Sequence, residues 1–489
     1  MTTSLSRAAT PAAGRHNELT LAIERTASAR AIGGNSLEYH PDSPAAIAAI
    51  IALIAAAQAW VHFENYIFRD DRTGRLVADA LAERARAGVR VRVLYDALGS
   101  FGTGHRFWGA LRRAGAEVRA FHPIISGHPF DLFVRDHRKL VVADGARAML
   151  GGLCIGDEWA GDPTRGRQPW RDTMLTVCGP AATALDAAFA NTWEHAGPPL
   201  ARDEISADPV ACGDVAVRVV AGVPFEGRIY RATQLIAAAA RERLWITDAY
   251  LVPPAPLYAA LLDAARGHVD VRLLVPGASD LPVLRSFTRV GYRELLRAGV
   301  RVFEWMGPMI HAKTLVADRV WARVGSSNLN VSSLLGNFEL DVLTDDPAAA
   351  DALAAQFRRD LYASREIVLR PRRRMLPARL VGAGLPADAE RAAAPSVPPP
   401  PSSAPAPVHR RSRYELGAVA VVALRRVAGG LRRALAGTAA LLFLVIGTLV
   451  LVFPRLMGGV LAAVTFWLAL GFGVYAFGKR RARGRDDAD

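Results

Sequence analysis

Two stretches decide how this chain reads: HRKLVVAD at residues 137–144 and HAKTLVAD at 311–318. Both follow the pattern His-x-Lys-x-x-x-x-Asp. Of 60 basic residues only three are lysines, Lys139, Lys313 and Lys479, and two of those occupy the same place in the pattern. The residues after each histidine are strand formers, so side chains two apart share a face. His137 therefore points with Lys139, and His311 with Lys313. Asp144-Gly145 is a tight-turn signal. A chain folding back there sets Gly152 opposite His137; the same construction about Asp318 and Arg319 sets Ser326 opposite His311. On this reading GGLC (151–154) and GSSN (325–328) border the histidines. Glycine permits close backbone approach there, while Ser326 and Asn328 supply hydrogen bonds.

Histidine, lysine, serine and asparagine, without paired cysteines or an acidic cluster, suit a phosphate ester better than a metal ion. Neither a metal nor a cofactor is expected. Lysine offers a compact charge that fits against one phosphoryl oxygen beside an attacking group, whereas arginine's planar fork is larger and prefers bidentate contact. A solvated or core histidine explains one such motif; it does not explain two at matching positions of a repeat.

The repeat runs through everything before residue 370. HFENYIFRDDRTGRLVADALAERARAGVRVRVLYDALGS (62–100) is echoed by WITDAYLVPPAPLYAALLDAARGHVDVRLLVPGASD (245–280), and LRRAGAEVRAF (111–121) by LLRAGVRVFEW (295–305). Each unit reads as strand, loop, amphipathic helix and strand. A long-period repeat of alternating signals predicts an α/β chain with two copies of one domain, over 33–200 and 201–371. Residues 1–32 read as a leader without a hydrophobic signal segment, disordered over the first 15.

From residue 370 onward stand 19 basic and 6 acidic residues, so the tail holds +13 of the net +14 and the first 369 residues are near neutral. A nucleic-acid enzyme carries its positive field around the site; here the field belongs to the tail, which argues for an anionic membrane surface and against nucleic acid. Residues 372–415 are an Arg/Pro/Ala-rich linker and 416–433 a basic amphipathic segment. Two apolar runs, 434–453 and 456–478, each match the roughly 20 residues that cross a bilayer, which predicts a transmembrane hairpin over 434–478. Arginine and lysine flank both ends, placing the 479–489 tail and the region before the hairpin in the cytoplasm. Cys154, Cys178 and Cys212 show no spacing of a zinc site or a disulfide framework, which fits a reducing compartment.

These motifs resemble the phospholipase D superfamily. Within it, RDHRKLVVADG, GGLCIGDEW, WRDTMLTVCGP, FEWMGPMIHAKTLVAD and GSSNLN look like bacterial cardiolipin synthases, over about residues 33–369, and most like forms lacking N-terminal transmembrane helices. The resemblance implies two tandem α/β/α sandwich domains related by a pseudo-twofold axis and facing each other across one site. It implies His137 as nucleophile forming a phosphohistidine and His311 as acid/base, roles the residues alone do not separate. It makes Asp172 the partner of His137 and Glu339 the partner of His311. Lys139, Lys313, Ser326 and Asn328, with Gly152 beside them, are implied to hold the phosphoryl oxygens, and Asp144 and Asp318 to hold the turns. Cys154 departs from the asparagine usual at its position, which Asn328 keeps in the other half.

The implied reaction moves a phosphatidyl group from phosphatidylglycerol to the hydroxyl of a second phosphatidylglycerol, releasing glycerol, at the bacterial inner membrane. A phospholipase D acting on other phospholipids, with water or another alcohol as acceptor, uses the same residues. A catalytically inactive membrane scaffold is the reading from a different class. Oligomeric state has no signature in the sequence.

Overall fold

The alternating signals become strands of a single mixed sheet with helices packed on it. In this computed structural model residues 11–123, 134–205 and 210–369 are described. Helix α1 (Pro11–Ala27) leads into β1 (Ile32–His40), α2 (Ser43–Ala56), β2 (Trp60–Asn65), α3 (Arg72–Arg86), β3 (Arg90–Asp96), α4 (His105–Arg113) and β4 (Glu117–Phe121). The first motif forms β5 (Lys139–Ala143), which turns back as β6 (Arg147–Gly151). After it come the short α5 (Asp157–Ala160), β7 (Met174–Cys178) and α6 (Pro180–His195).

The second half repeats the series. It runs β8 (Val215–Gly222), α7 (Arg228–Ala239), β9 (Arg243–Thr247), α8 (Ala255–Arg266), β10 (Asp270–Pro276), α9 (Pro282–Ala298) and β11 (Arg301–Trp305). The second motif forms β12 (Thr314–Ala317) and β13 (Trp321–Gly325), followed by β14 (Glu339–Thr344), α10 (Pro347–Tyr362) and an added edge strand, β15 (Ser364–Ile367).

Strand order from one edge is β4-β3-β2-β5-β6-β7-β1, and from the other, inside β15, β11-β10-β9-β12-β13-β14-β8; the two series meet where β1 pairs with β8. In each, three parallel strands joined by helices precede an antiparallel hairpin that carries the motif. Val77, Leu81 and Ala82 of α3 and Val91 and Val93 of β3 fill one outer core, and Leu257, Leu261 and Leu273 the corresponding core of the second half. Between them, α6 and α10 contribute Leu185, Phe189, Leu353 and Phe357 to one core that draws on strands of both halves.

Three expectations need correction here. The leader expected over 1–32, disordered over its first 15 residues, carries a helix from Pro11 to Ala27: Leu19, Ile23 and Ala27, four apart on one face, pack α1 against Ile229 and Ile236 of α7, and Ile23 is fully buried. The hairpin register is one residue off. Ala143 pairs with Arg147 and Ala317 with Trp321, so each loop holds three residues rather than two; by extension Gly152 lies opposite Arg138 and Ser326 opposite Ala312. In each turn the two residues at positive φ, Asp144 and Gly145 or Asp318 and Arg319, are closed by a backbone hydrogen bond, Ala146 N to Ala143 O at 3.1 Å and Val320 N to Ala317 O at 3.2 Å, and the ladder then resumes one residue later. Finally, Cys178 and Cys212 form a disulfide with Cα atoms 5.8 Å apart. The stretch between the halves runs beside β1, where Cys212 N donates to Gly34 O at 2.8 Å and Cys178 pairs with Ser36, and this brings the two sulfurs together. The cysteines therefore no longer argue for a reducing compartment. Among the described residues no helix is long and apolar enough to cross a membrane; the predicted hairpin, linker, basic segment and tail lie outside the described residues.

Candidate active site

The fourth correction concerns which carboxylate meets which histidine. The residues leading into each motif pair with the residues leading into the acid of the other half. Phe338 N donates to Arg135 O and His137 N to Phe338 O, both at 2.9 Å; Arg171 N donates to Met309 O at 2.9 Å and His311 N to Arg171 O at 2.7 Å. These two reciprocal bridges fix the pairing. His137 Nδ1 lies 3.0 Å from Glu339 Oε2, and His311 Nδ1 lies 2.7 Å from Asp172 Oδ2. The pairing is thus crossed: Glu339 holds His137 rather than His311, and Asp172 holds His311 rather than His137. A carboxylate on Nδ1 fixes the tautomer and leaves Nε2 for chemistry.

Each carboxylate is seated by its own half. Ser326 Oγ donates to Glu339 Oε2 at 2.5 Å, and Ser333 Oγ donates to Glu339 Oε1. Ser326 therefore orients an acid here, rather than standing free for phosphate. At the matching place in the first half, a Cβ on Gly152 would fall 2.2 Å from Asp172 Oδ1, so glycine makes room for the acid. Asp172 also takes Thr173 N at 2.8 Å and Trp159 Nε1 at 3.2 Å, and its own N–H reaches Ser43 Oγ at the start of α2.

Lys139 Nζ donates to His137 O and Lys313 Nζ to His311 O, so each ammonium is tied to its own histidine's backbone. Both lysines are almost wholly buried. Tyr66 packs edge-on against His137, with ring centroids 4.8 Å apart, and Tyr250 against His311 at 5.9 Å; Lys139 and Lys313 lie over the same two rings. The residue between His137 and Lys139 faces the shared core. There Arg138 donates to Ala188 O, Gly222 O and Glu339 O, tying α6 to β8 and β14. Asn328 is buried, and its side-chain oxygen has no partner among the described residues. Cys154 is buried in the core of the first half; burial raises its thiol pKa, and the Lys139 and Lys313 charges oppose the rise.

Asp144 and Asp318 take no part in this cluster. Asp144 accepts the N–H groups of Gln58, Ala59 and Trp60 at 2.9, 2.7 and 2.9 Å. Asp318 accepts those of Arg241, Glu242 and Arg243 at 2.9, 2.8 and 3.1 Å. Both pin the start of the neighbouring antiparallel strand, β2 or β9.

Burial and the lysine charges set the site's protonation. His137 is held well below the usual histidine range by burial, then by Lys139, Lys313 and His311. His311 is lowered too, by burial and Lys313, but Asp172 opposes the shift. The two acids differ. Burial pushes Glu339 up to about 7 against the pull of Lys139, Ser326 and Ser333. Burial would raise Asp172 as well, but His311, Lys313 and Thr173 N–H outweigh it and hold it below the usual carboxylate range. Burial also brings Lys313 down to about 8. So His311 faces a firmly ionised acid and His137 a weaker one. The two lysine charges beside the histidines suit a monoanionic phosphodiester.

The sequence reading missed Tyr66, Tyr250 and Asp248. Asp248, adjoining Lys313 in the β9–β12 ladder, accepts Leu329 N at 2.7 Å and Tyr250 N at 2.9 Å, and burial lifts it to about 6. A signal was present: ENYIF and TDAYLV occupy the same place in the long repeat.

Two His-x-Lys strands from equivalent halves, each imidazole held by the other half's carboxylate around one cationic space, define a phospholipase D-like protein. The family described as "Cardiolipin synthase, PLD-like domain" matches at residues 50–157 and 233–361. The chain is 34% identical to cardiolipin synthase A of Pseudomonas fluorescens over 344 residues, 69% of this chain and 70% of that one. It is 32% identical to a probable cardiolipin synthase of Bacillus subtilis over 339 residues, covering 68% and 66% of the two chains. The chain belongs to this cardiolipin synthase family of phospholipase D-like proteins. Its fold is shared with the phosphatidylserine synthase of Haemophilus influenzae, with a TM-score of 0.56 at 15% identity over 72% of this chain and 92% of that one.

Proposed function

We propose that this chain is a phosphatidyltransferase that joins two phosphatidylglycerol molecules into cardiolipin and releases glycerol. The observation that carries the reading is the crossed pair of imidazole–carboxylate contacts beside two buried lysines. His137, the histidine pushed further toward neutrality, attacks phosphorus through Nε2. The bond from phosphorus to the glycerol oxygen breaks, and His311 gives that oxygen its proton. The hydroxyl of a second phosphatidylglycerol then gives its proton to His311 while its oxygen attacks the phosphohistidine, freeing His137. Asp172 supports the charged form of His311 that the first step requires. Lys139 and Lys313 take up charge on the phosphoryl oxygens throughout. Asn328 adds a hydrogen bond from the second half, which Cys154 does not match from the first.

The two repeat units act as tandem domains about a pseudo-twofold axis through this site. Exposed apolar residues crowd the same rim of the sheet. Leu98 and Phe101 follow β3, Phe225 follows β8 and Met306 follows β11, with Phe101 74% and Phe225 82% exposed. A rim of this kind supports an active-site face that meets an anionic bilayer. The apolar runs at 434–453 and 456–478 anchor the chain there, and their basic flanks place the catalytic region on the cytoplasmic side of the inner membrane.

Purified protein given phosphatidylglycerol labelled in its head-group glycerol tests the reaction. Cardiolipin and free glycerol in equal amounts are expected; phosphatidic acid as the dominant product would replace the synthase reading with a hydrolase.

A further inference from the structure

Two further acids lie beside the first motif, and the mechanism does not use them. Glu64 of β2 and Asp136, the residue before His137, are both wholly buried. The Glu64 carboxyl faces Asp136 and Thr192 of α6. Among the described residues neither Glu64 oxygen meets a donor, and nor does Asp136 Oδ2. The charged groups around them are committed elsewhere. Arg138 donates to Glu339 O, Ala188 O, Gly222 O and Thr192 Oγ1, and Thr192 gives its own hydrogen to Ala188 O at 3.2 Å. Lys139 Nζ is tied to His137 O, and Asp96 at the end of β3 is held by Arg135. Two carboxylates in contact in a buried site do not both ionise. Burial raises the proton affinity of both, and the Glu64 charge raises that of Asp136 further. A proton on either acid supplies the missing donor, and the two then close on each other.

The pair bears on His137 through the backbone. Asp136 Oδ1 accepts Arg138 N at 3.2 Å, so this carboxyl spans His137, and Asp136 N donates to Asp96 Oδ2 at 3.0 Å. His137 N donates to Phe338 O, next to the Glu339 that holds its ring. The second half has no counterpart. Ile310 precedes His311, and Thr247 occupies the place of Glu64: each pairs with the residue after the motif lysine, Thr314 or Leu140.

We infer that Glu64 and Asp136 hold one proton between them, and that this acid pair positions His137 for attack on phosphorus. The inference rests on the phosphatidyl-transfer reading for the role of His137, and adds a positioning element that His311 lacks. A second negative charge in that space would drive Asp136 away from Arg138 N and loosen the turn that carries the nucleophile.

Glutamine at position 64 keeps a hydrogen for Asp136, whereas alanine removes it. The full chain in detergent is compared with its Glu64→Gln and Glu64→Ala variants in two measurements. Infrared difference spectra at about pH 8.5, where an ordinary carboxylic acid is ionised, should show a carboxylic-acid carbonyl band in the unsubstituted protein. Glu64→Gln should lack it, because Asp136 alone then carries the pair's negative charge. The burst of p-nitrophenol from a p-nitrophenyl phosphatidyl ester follows attack by His137 without needing an acceptor lipid. Glu64→Ala should slow the burst about ten-fold or more while the half-saturating concentration changes less than about two-fold, and Glu64→Gln should recover most of the rate. If Glu64→Ala does not fold, Asp136→Asn replaces it in both measurements: its amide keeps the Arg138 N contact and a hydrogen for Glu64, so it should lack the band and keep most of the burst. A band unaltered by Glu64→Gln, a burst as slow in Glu64→Gln as in Glu64→Ala, a burst undiminished in Glu64→Ala, or one lost in Asp136→Asn would overturn the inference. If band and burst behave as expected while phosphatidylglycerol gives no cardiolipin, the transfer reading fails and the acid pair stands.

Discussion

Exchanging which carboxylate serves which histidine has a measurable consequence in stability. His311 and Asp172 are 4% and 0% exposed and 2.7 Å apart; His137 and Glu339 are 8% and 1% exposed and 3.0 Å apart. Removing one member of such a pair leaves a buried charge or donor without its partner, at a cost of about 3–5 kcal/mol. A double-mutant cycle removes that common cost and isolates the contact, which for neighbouring buried groups is worth about 1–3 kcal/mol. The cycle uses Asp172→Asn with His311→Gln, and Glu339→Gln with His137→Gln, each in the full chain in detergent, with urea unfolding followed by fluorescence. Both cross-half cycles should give couplings of about 1–3 kcal/mol. The within-half cycles, Asp172 with His137 and Glu339 with His311, should give less than about 0.5 kcal/mol. Within-half couplings exceeding the cross-half ones would refute the crossed geometry, and with it the argument that two halves complete one site.

Other consequences are simpler to test. Asp144→Ala and Asp318→Ala each release three backbone N–H groups and put alanine at positive φ, so each should lose about 2–4 kcal/mol of stability while activity per folded molecule is kept; asparagine, which tolerates that conformation, should recover part of the loss in thermal unfolding. Glu339 has a folded pKa near 7, raised above its unfolded value, so it stabilises fully below about pH 4.5 and that contribution is lost as pH rises toward 7. Measured against the native chain, Glu339→Gln should therefore gain relative stability between about pH 4.5 and 7, by up to about 3 kcal/mol. Lys313 loses its proton near pH 8 in the free protein, so kcat/KM should fall as pH rises through 8; Lys313→Arg, slower at every pH, should lack that alkaline limb.

The sequence carried the site further than it carried the geometry. Lysine scarcity and the spacing of His137 with Lys139 and His311 with Lys313 located four residues that the fold brings together. The long repeat anticipated two equivalent halves of alternating strands and helices, though not the order of strands in the sheet. What it left open depended on contacts far apart in the chain. Nothing near Asp172 or Glu339 says that Arg171 bridges to Met309 or Phe338 to Arg135, and those bridges decide the pairing. The one-residue register error came from starting the ladder directly after Asp144-Gly145; Ala146 closes the turn onto Ala143 O, and pairing resumes only at Arg147. Cys178 and Cys212, 34 residues apart, meet only because the inter-half stretch runs back along β1. The helical face of Leu19, Ile23 and Ala27 was legible as a four-residue spacing but was folded into the leader.

A single-turnover experiment separates the two histidines. A phosphatidyl ester with a p-nitrophenol leaving group needs no acid to depart, so His311→Ala protein should form its covalent intermediate and stall before transfer. Mass spectrometry of the quenched protein should then find one phosphatidyl group on the peptide bearing His137, and none in His137→Ala. An adduct on His311 instead, or undiminished lipid transfer by either alanine variant, would contradict the reading that His137 and His311 divide one reaction between them.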